Sequence, residues 1–437
     1  NVGNESVDIQ QQEPVEISEL ETTENNDLSK SSESITVDES IAEDILATQA
    51  DTAVVVGTVS DYLTAKGDAK LYNINLPAGV YLQAQLTTPA NADLDYDLYL
   101  LDAEGNILTG SDYYTYINGT AGTLPEALGY ITSGDTATYY LYVLASEGGS
   151  VSESFTLDYS VSTACDSYEI DESVRQALAF TYGAGGAYIE SRNLSSPIDN
   201  DWYVITVPSS RIYDKLKISA TTASTNTCSV EVYQNVASEG YQMKRVGSGN
   251  TISVSSGKYY IRVSNAKTME NFDDLDIQNY KLSITPILKA TGIVITDLKG
   301  SEGLNKVVNY PGYGAHFRTQ GSGTLTVYGV LTATDSSTGV TYAVGGEQIN
   351  GLYYSPAWEA NNTSANAIRR GTGTTDSSGK FEIDISLPPG IGVYSYYGST
   401  STHYFDICGV SVSPSDDSSI SASETIFHLA YTMYHPF

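Results

Sequence analysis

The sequence predicts an all-β protein: three tandem β-sandwich domains behind a disordered acidic N-terminal tail. Three observations predict it. Apolar residues alternate with period two in several short segments, the signature of strands with one buried face. The chain is rich in Val, Thr, Ile and Tyr, which suit a pleated, half-buried surface, and carries 35 Tyr against 8 Phe. Helical periodicity is missing beyond one stretch outside the tail, Asp171–Ala179, which has room for two turns.

The elements follow in order along the 437 residues, a length that fits two to four domains of roughly 100–200 residues. Residues 1–51 form the tail. Its first fifty residues hold thirteen Asp and Glu against one base, Lys30, and no aromatic residue. Such a segment cannot offset the entropy of ordering, so disorder is expected. A short helix capped by Asp38, with Ile41, Ile45 and Leu46 on one side, is the one element it admits. The tail reads as a solvated spacer or as a recognition segment.

The composition changes near Asp51. The first module, 52–162, is punctuated by turns at Ala65–Gly67, Pro77–Gly79 and Glu104–Asn106. In Leu71–Leu76, Tyr72, Ile74 and Leu76 interleave with polar partners, and in Tyr139–Leu144, Tyr139, Leu141 and Val143 share a face. The second module, 163–287, places Tyr259, Ile261 and Val263 on one side. Both modules end with a Tyr-Tyr strand, a polar loop and a last strand, a weak repeat of about 120 residues. The third module, 288–437, contains the clearest alternation, with Phe381, Ile383, Ile385 and Leu387 opposite Glu382, Asp384 and Ser386.

Charge narrows the function classes. A formal net charge of −32 disfavours nucleic acid and anionic lipid, which require basic patches. There is no apolar run of 18 residues, so no membrane insertion is expected. The polar start at Asn1 is what removal of a secretory signal leaves, and also what a cytosolic boundary leaves. The four histidines, His316, His403, His428 and His435, show no zinc spacing beyond the loose His428/His435 pair. His403 with Asp406 and Ser399 or Ser401 is a faint triad without a Gly-x-Ser-x-Gly elbow. No phosphate-cradling loop is present. The expectation is a protein that is not an enzyme. Cys165 and Cys228 share a module and read as a disulfide or as small apolar fillers, with Cys408 standing alone.

Two features carry binding chemistry. Asp199 and Asp201 alternate on a strand and so share a face, and with acids of the segment leading into module two they can supply the oxygens calcium requires. Pro197–Asn200 also has ordinary turn chemistry. Asp93, Asp95 and Asp97 alternate as well, either as a cation site or as a strand edge that resists aggregation. The second feature is tyrosine. Runs at Tyr113, Tyr114 and Tyr116, at Tyr353 and Tyr354 near Trp358, and at Tyr394–Tyr397 put consecutive aromatics on opposite faces, so some face solvent. Exposed Tyr stacks on sugars and contacts peptides, and Tyr can equally replace Phe in a core. The loops expected to bind are 111–119 and 351–358.

Residues of the first module carry a resemblance. Gly57-Thr58-Val59, Leu71-Tyr72-Asn73-Ile74, Gly79-Val80-Tyr81-Leu82, the run Asp93–Asp102, Gly105-Asn106 and Tyr139–Val143 resemble the bacterial pre-peptidase C-terminal domain, a jelly-roll-like β-sandwich. Module two resembles it through Asp166–Glu169 with Ala177, Asp199–Tyr203 and Gly257–Val263. Thr375–Ile383 with Leu387-Pro388 is similar to immunoglobulin-like or carboxypeptidase-regulatory-like sandwiches. The chain departs from the pattern at Glu169-Ile170-Asp171, where the family carries an acidic–Pro–Asn run, and at Asp68-Ala69-Lys70. The resemblance implies a jelly-roll-like, jelly-roll-like, Ig-like order in a secreted, Gram-positive-type surface protein without catalysis. Related collagen-binding domains imply calcium in module two, at Glu169, Asp171, Asp199 and Asp201.

The reading at this level is an extracellular or cell-surface monomer that binds an extracellular glycan or protein through Tyr-rich loops. Calcium is the one cofactor considered. A structural spacer without its own ligand, and a hydrolase with an unrecognised site, are the alternatives.

Overall fold

The computed structural model describes residues 33–34, 55–91, 93–112, 114–117, 120–121, 124–163, 165–222, 228–237, 242–248, 251–265, 278–300, 316–318, 323–361, 364–397 and 399–435. The chain is nearly all β and is built of several separate, largely antiparallel sheets, as tandem β-sandwiches are. It divides into two compact units. One comprises 1–209 and 215–287, the other 210–214 and 288–437.

In the first unit, a five-stranded sheet runs in the order Glu33–Ser34, Ala69–Leu76, Ala137–Glu147, Asp95–Leu101, Ile107–Ser111. A four-stranded sheet has the order Val55–Asp61, Phe155–Ser162, Tyr81–Thr87, Glu126–Ile131. The alternation in the sequence becomes the core. Tyr72, Ile74 and Leu76 from one strand and Tyr139, Leu141 and Val143 from its partner are buried with Leu82, Leu86, Phe155 and Leu157. Of the acidic tail only Glu33 and Ser34 are described; they pair in parallel with Tyr72 and Asn73. The expected disorder and the Asp38 helix lie outside the described residues.

A seven-stranded sheet follows. Its order is Leu178–Ala179, Asn200–Val207, Gly257–Ser264, Ser229–Asn235, Gln242–Ser248, Tyr114–Ile117, Thr120–Ala121. Residues 114–117 come from the stretch expected to be a free loop, and their backbone pairs in parallel with Gln242–Lys244. The stretches expected as two modules therefore share one sheet. A four-stranded sheet of Ala187–Leu194, Gln278–Leu288, Tyr213–Thr222 and Thr251–Ser253 completes the second sandwich. Asp171–Ala179 does not form two helical turns. It holds only the short 3-10 turn Val174–Gln176 before Leu178–Ala179 pairs alongside Tyr203 and Val204. Val174 is claimed by the core beside Trp202 and Tyr233, which leaves the segment no room to coil.

The second unit packs Phe381, Ile383, Ile385 and Leu387 against Ile349, Tyr353, Val410, Val412 and Ile426. Its sheets approach closely because Ile368–Thr374 carries glycines at 371 and 373. A Cβ on Gly371 would lie 2.2 Å from the Asp384 carbonyl oxygen. We expect Gly371→Ala to cost about 1–3 kcal/mol, the usual cost of overpacking. An unchanged urea midpoint for the transition of this unit would refute the close-approach account.

Candidate metal centre

The segment 166–173 leads into the second sandwich without strand periodicity. Its backbone is pinned to the start of Asn200–Val207, where the Trp202 N–H donates to the Asp171 carbonyl at 3.0 Å. This contact turns the side chains of Asp171 and Glu172 inward, toward Asp199 and Asp201. Asp199 follows a turn closed by its own N–H on the Ser196 carbonyl, 3.3 Å, so the turn and the convergence of acids occur together.

Glu169, Asp171, Asp199 and Asp201, the four acids singled out in the sequence, are brought together. Carboxylate oxygens of Glu169, Asp171 and Asp201 lie within 4.8 Å of one another, as do those of Glu169, Glu172 and Asp199. Asp171, Glu172, Asp199 and Asp201 are buried. Glu172 and Arg192 were not picked out from the sequence. The Arg192 guanidinium is fully buried. It donates to Asp166 Oδ1 at 2.6 Å and to Asp171 Oδ2, and lies 3.0 Å from Asp201 Oδ1. Its Nε donates to the Tyr203 hydroxyl at 2.7 Å, and the Tyr168 ring lies beneath it. Tyr203 and Tyr280 share a hydrogen bond of 2.6 Å, and the Tyr280 hydroxyl donates to Asp201 Oδ2.

The other half of the cluster reaches the first sandwich. The Tyr81 hydroxyl contacts Glu169 Oε2 at 2.9 Å and also Glu172 Oε1, and Gln83 Nε2 donates to Glu172 Oε1 at 2.7 Å. The Asn200 N–H donates to Glu172 Oε2 at 3.0 Å, and Ser195 donates to Asp199 Oδ2 through its hydroxyl at 2.8 Å and through its N–H. Glu169 Oε1, Asp171 Oδ1 and Asp199 Oδ1 are buried without a hydrogen-bond donor, and Asp201 Oδ1 has the Arg192 ion pair alone.

The electrostatics are unbalanced. Six carboxylates, counting Asp166, face one guanidinium. Burial, reinforced by neighbouring carboxylates, pushes Glu169, Asp171, Glu172 and Asp201 well above the ordinary carboxylate range. Burial raises Asp199 to about 6, with the Ser195 hydrogen bonds holding it down. For Arg192, burial opposes the charge, and Asp201 and Asp171 more than offset it. Buried charges without partners are costly, and orphaned oxygens add to the cost. An all-oxygen donor set suits a hard cation such as calcium, which takes 6–8 oxygens at about 2.3–2.6 Å. The residues fit that chemistry.

The remaining candidates fall elsewhere. Asp93 is exposed, while burial raises Asp95 to about 6 and Asp97 to about 7. Asp97 accepts from Ser146 and Tyr99 and joins no metal-type cluster among the described residues. Tyr113 lies outside the described residues, as do the side chains of Tyr114 and Tyr116. Tyr353, expected on a binding loop, is instead fully buried on the strand Gln348–Tyr354. Its ring fills the core, and its hydroxyl meets Cys408 Sγ at 3.1 Å and His428 Nδ1 at 3.0 Å, contacts a Phe could not make. Tyr354 is half-buried and bonds Glu359. Trp358 is also half-buried, in the helix Pro356–Ala360, and donates to the Pro389 carbonyl at 2.8 Å. Asp406 spends its carboxylate on the N–H groups of Ile391, Gly392 and Val393. His403 meets Ser401 at 3.3 Å and Thr432 at 3.0 Å, so Asp406 orients no triad. All three cysteines are free thiols.

No family model matches the chain. One curated relative, the uncharacterized protein YlqB of Bacillus subtilis (strain 168), is 36% identical over 74 residues. That match spans 17% of this chain and 46% of YlqB, so the chain spans about half the length of the relative. Solved structures with partial likeness include PliG of Aeromonas hydrophila, a periplasmic inhibitor of g-type lysozyme. It is 11% identical with a TM-score of 0.16, over 26% of this chain and 89% of that one. The CUB1-EGF-CUB2 segment of human MASP-1/3 is 11% identical with a TM-score of 0.15, over 53% and 99%. The CBM22 tandem of Paenibacillus barcinonensis Xyn10C is 11% identical with a TM-score of 0.16, over 55% and 92%. At such TM-scores these likenesses carry no argument about this chain.

Proposed function

We propose that the chain is a secreted or cell-surface, non-enzymatic binding protein whose ligand is an extracellular glycan. The observation that carries this reading is an aromatic sheet end in the second unit. Tyr394–Tyr397 pairs with Ser401–Pro414, which pairs with Ala422–Tyr434. Tyr394, Tyr396, Tyr397, Tyr431 and Tyr434 are all exposed, Tyr397 and Tyr434 by more than 70%. Residues 394–397, 401–405 and 429–434 contain no Asp, Glu, Lys or Arg, in a chain whose net charge is −32. The register puts Tyr394, Tyr396 and Tyr434 on one face of this sheet end and Tyr397 and Tyr431 on the other. Uncharged amphipathic rings of this kind suit a neutral ligand that offers flat apolar faces and hydroxyls. The sequence expectation set the binding rings at Tyr113, Tyr114, Tyr116, Tyr353, Tyr354 and Trp358; this proposal sets them at the sheet end instead. The resemblance of the first two sandwiches to pre-peptidase C-terminal domains supports a surface location, with the acidic centre as a structural calcium site.

Single contacts of this kind are weak, in the high micromolar range at about −5 to −6 kcal/mol, and repeated copies on one surface add avidity. A glycan array should show saturable binding that Tyr394→Ala, Tyr396→Ala and Tyr434→Ala, three rings of one face, together abolish. The fold should survive, since exposed positions usually cost under about 0.5 kcal/mol each. Binding to an extracellular protein but to no glycan would reassign the ligand. Absence of any saturable binding would favour the spacer.

A further inference from the structure

The two carboxylate triads share Glu169 but are neutralised differently. Asp171 and Asp201 already contact a fixed cation, the guanidinium of Arg192, which is paired with Asp166, Asp171 and Asp201 and whose Nε donates to Tyr203. Glu172 and Asp199 have no basic side chain among their hydrogen-bond partners; theirs are neutral donors from Tyr81, Gln83, Asn200 and Ser195. Asp199 Oδ1 and Glu169 Oε1 remain without a donor in this half. Asp199 is completely buried, away from bulk solvent.

We propose that the centre binds one divalent cation of the calcium class per chain, in the Glu169/Glu172/Asp199 half, with Arg192 as the permanent cation of the Asp171/Asp201 half. The ligand set therefore differs from the four acids read in the sequence: Glu172 enters it, while Asp171 and Asp201 belong to the arginine. Glu169 is the least buried residue of the triad, though its Oε1 is itself buried. Tyr81 and Gln83 lie on the strand Tyr81–Thr87 of the first sandwich, whereas the carboxylates belong to the second. The first sandwich thus orients the ligands, and the ion ties the two sandwiches of this unit. Partners that orient metal ligands typically matter about 10–100-fold in affinity. The proposal rests on the reading of the acidic centre as a calcium site and is independent of the glycan reading, which concerns a different unit of the chain.

Calorimetric titration of the full chain with calcium, after chelator treatment, tests it. One ion per chain is expected. Glu172→Gln and Asp199→Asn should each weaken binding at least about tenfold, and Gln83→Leu should weaken it through the orientation of Glu172. Asp201→Asn should leave one ion bound with affinity within about threefold. Arg192→Met, where it folds in calcium, should raise the count to two; where it does not fold, the three carboxylate variants decide. No binding, two ions in the unaltered chain, or loss of binding in Asp201→Asn comparable to that in Asp199→Asn would overturn the assignment.

Discussion

Arg192→Met should be the most damaging single substitution in the first unit, costing about 3–5 kcal/mol in chelator at neutral pH. Breaking a buried ion pair from one side leaves the partner charge uncompensated, and that penalty has this size. Here one side chain compensates Asp166, Asp171 and Asp201 together, and its Nε also holds Tyr203. Methionine fills much of the same volume, so the loss reports charge and hydrogen bonding more than a cavity. Urea denaturation of the full chain, followed through the transition of the first unit, measures it. Calcium should return part of the loss, because the carboxylates released from arginine become available to metal. A cost below about 1 kcal/mol would mean that these carboxylates are protonated in the native state and that the guanidinium neutralises little.

Strands were legible in the sequence because period-two alternation reports one buried face directly. Phe381, Ile383, Ile385 and Leu387 are all buried, and so are Tyr72, Ile74 and Leu76. The pairing of Asp199 with Asp201 was legible for a related reason, since alternate residues on a strand share a face, whereas Glu169 and Asp171, on an irregular segment, were named through the resemblance of the stretch leading into module two. The roles of Arg192, Tyr81 and Gln83 were not legible. Each reaches the acids through tertiary contact from a strand whose own pattern gives no sign of it. Glu172 had a local signal, its place beside Asp171, but adjacent residues on a regular strand point apart. The irregular backbone of 166–173 removes that restriction. Tyr353 shows the opposite failure. Two consecutive aromatics on a strand guarantee that they point to different faces, but not which ring goes inside. Tyr353 turns inward, where its hydroxyl finds Cys408 and His428, while Gly351 on the same strand lies close against Ile383.

Calcium should raise the melting temperature of the first unit by roughly 5–10 °C over chelator at pH 7.5. A ligand that binds only the native state at a hundredfold excess over its dissociation constant adds about 2.7 kcal/mol, and a unit of this size shifts by roughly 2–4 °C per kcal/mol. The pH dependence carries a definite sign. Burial raises Asp199 to about 6 and raises Glu169, Asp171, Glu172 and Asp201 in the same direction. A carboxyl with a raised folded pKa binds its proton more tightly in the native state. Its contribution to stability is complete below the unfolded value near 4 and is lost as pH rises through the folded value. Metal-free protein should therefore lose stability from about pH 4 upward through pH 6. Calcium acts oppositely, because its ligands must be deprotonated and its affinity grows with pH. The gap between the two melting curves should be small near pH 4.5 and open toward neutrality. Asp95 and Asp97, raised to about 6 and about 7 by burial away from the cluster, supply a control. Their share of the alkaline loss should persist in calcium and disappear in Asp97→Asn in proportion to its part. A gap that stays constant from pH 4.5 to 7.5, or that widens on acidification, would show that any calcium effect arises outside these carboxylates.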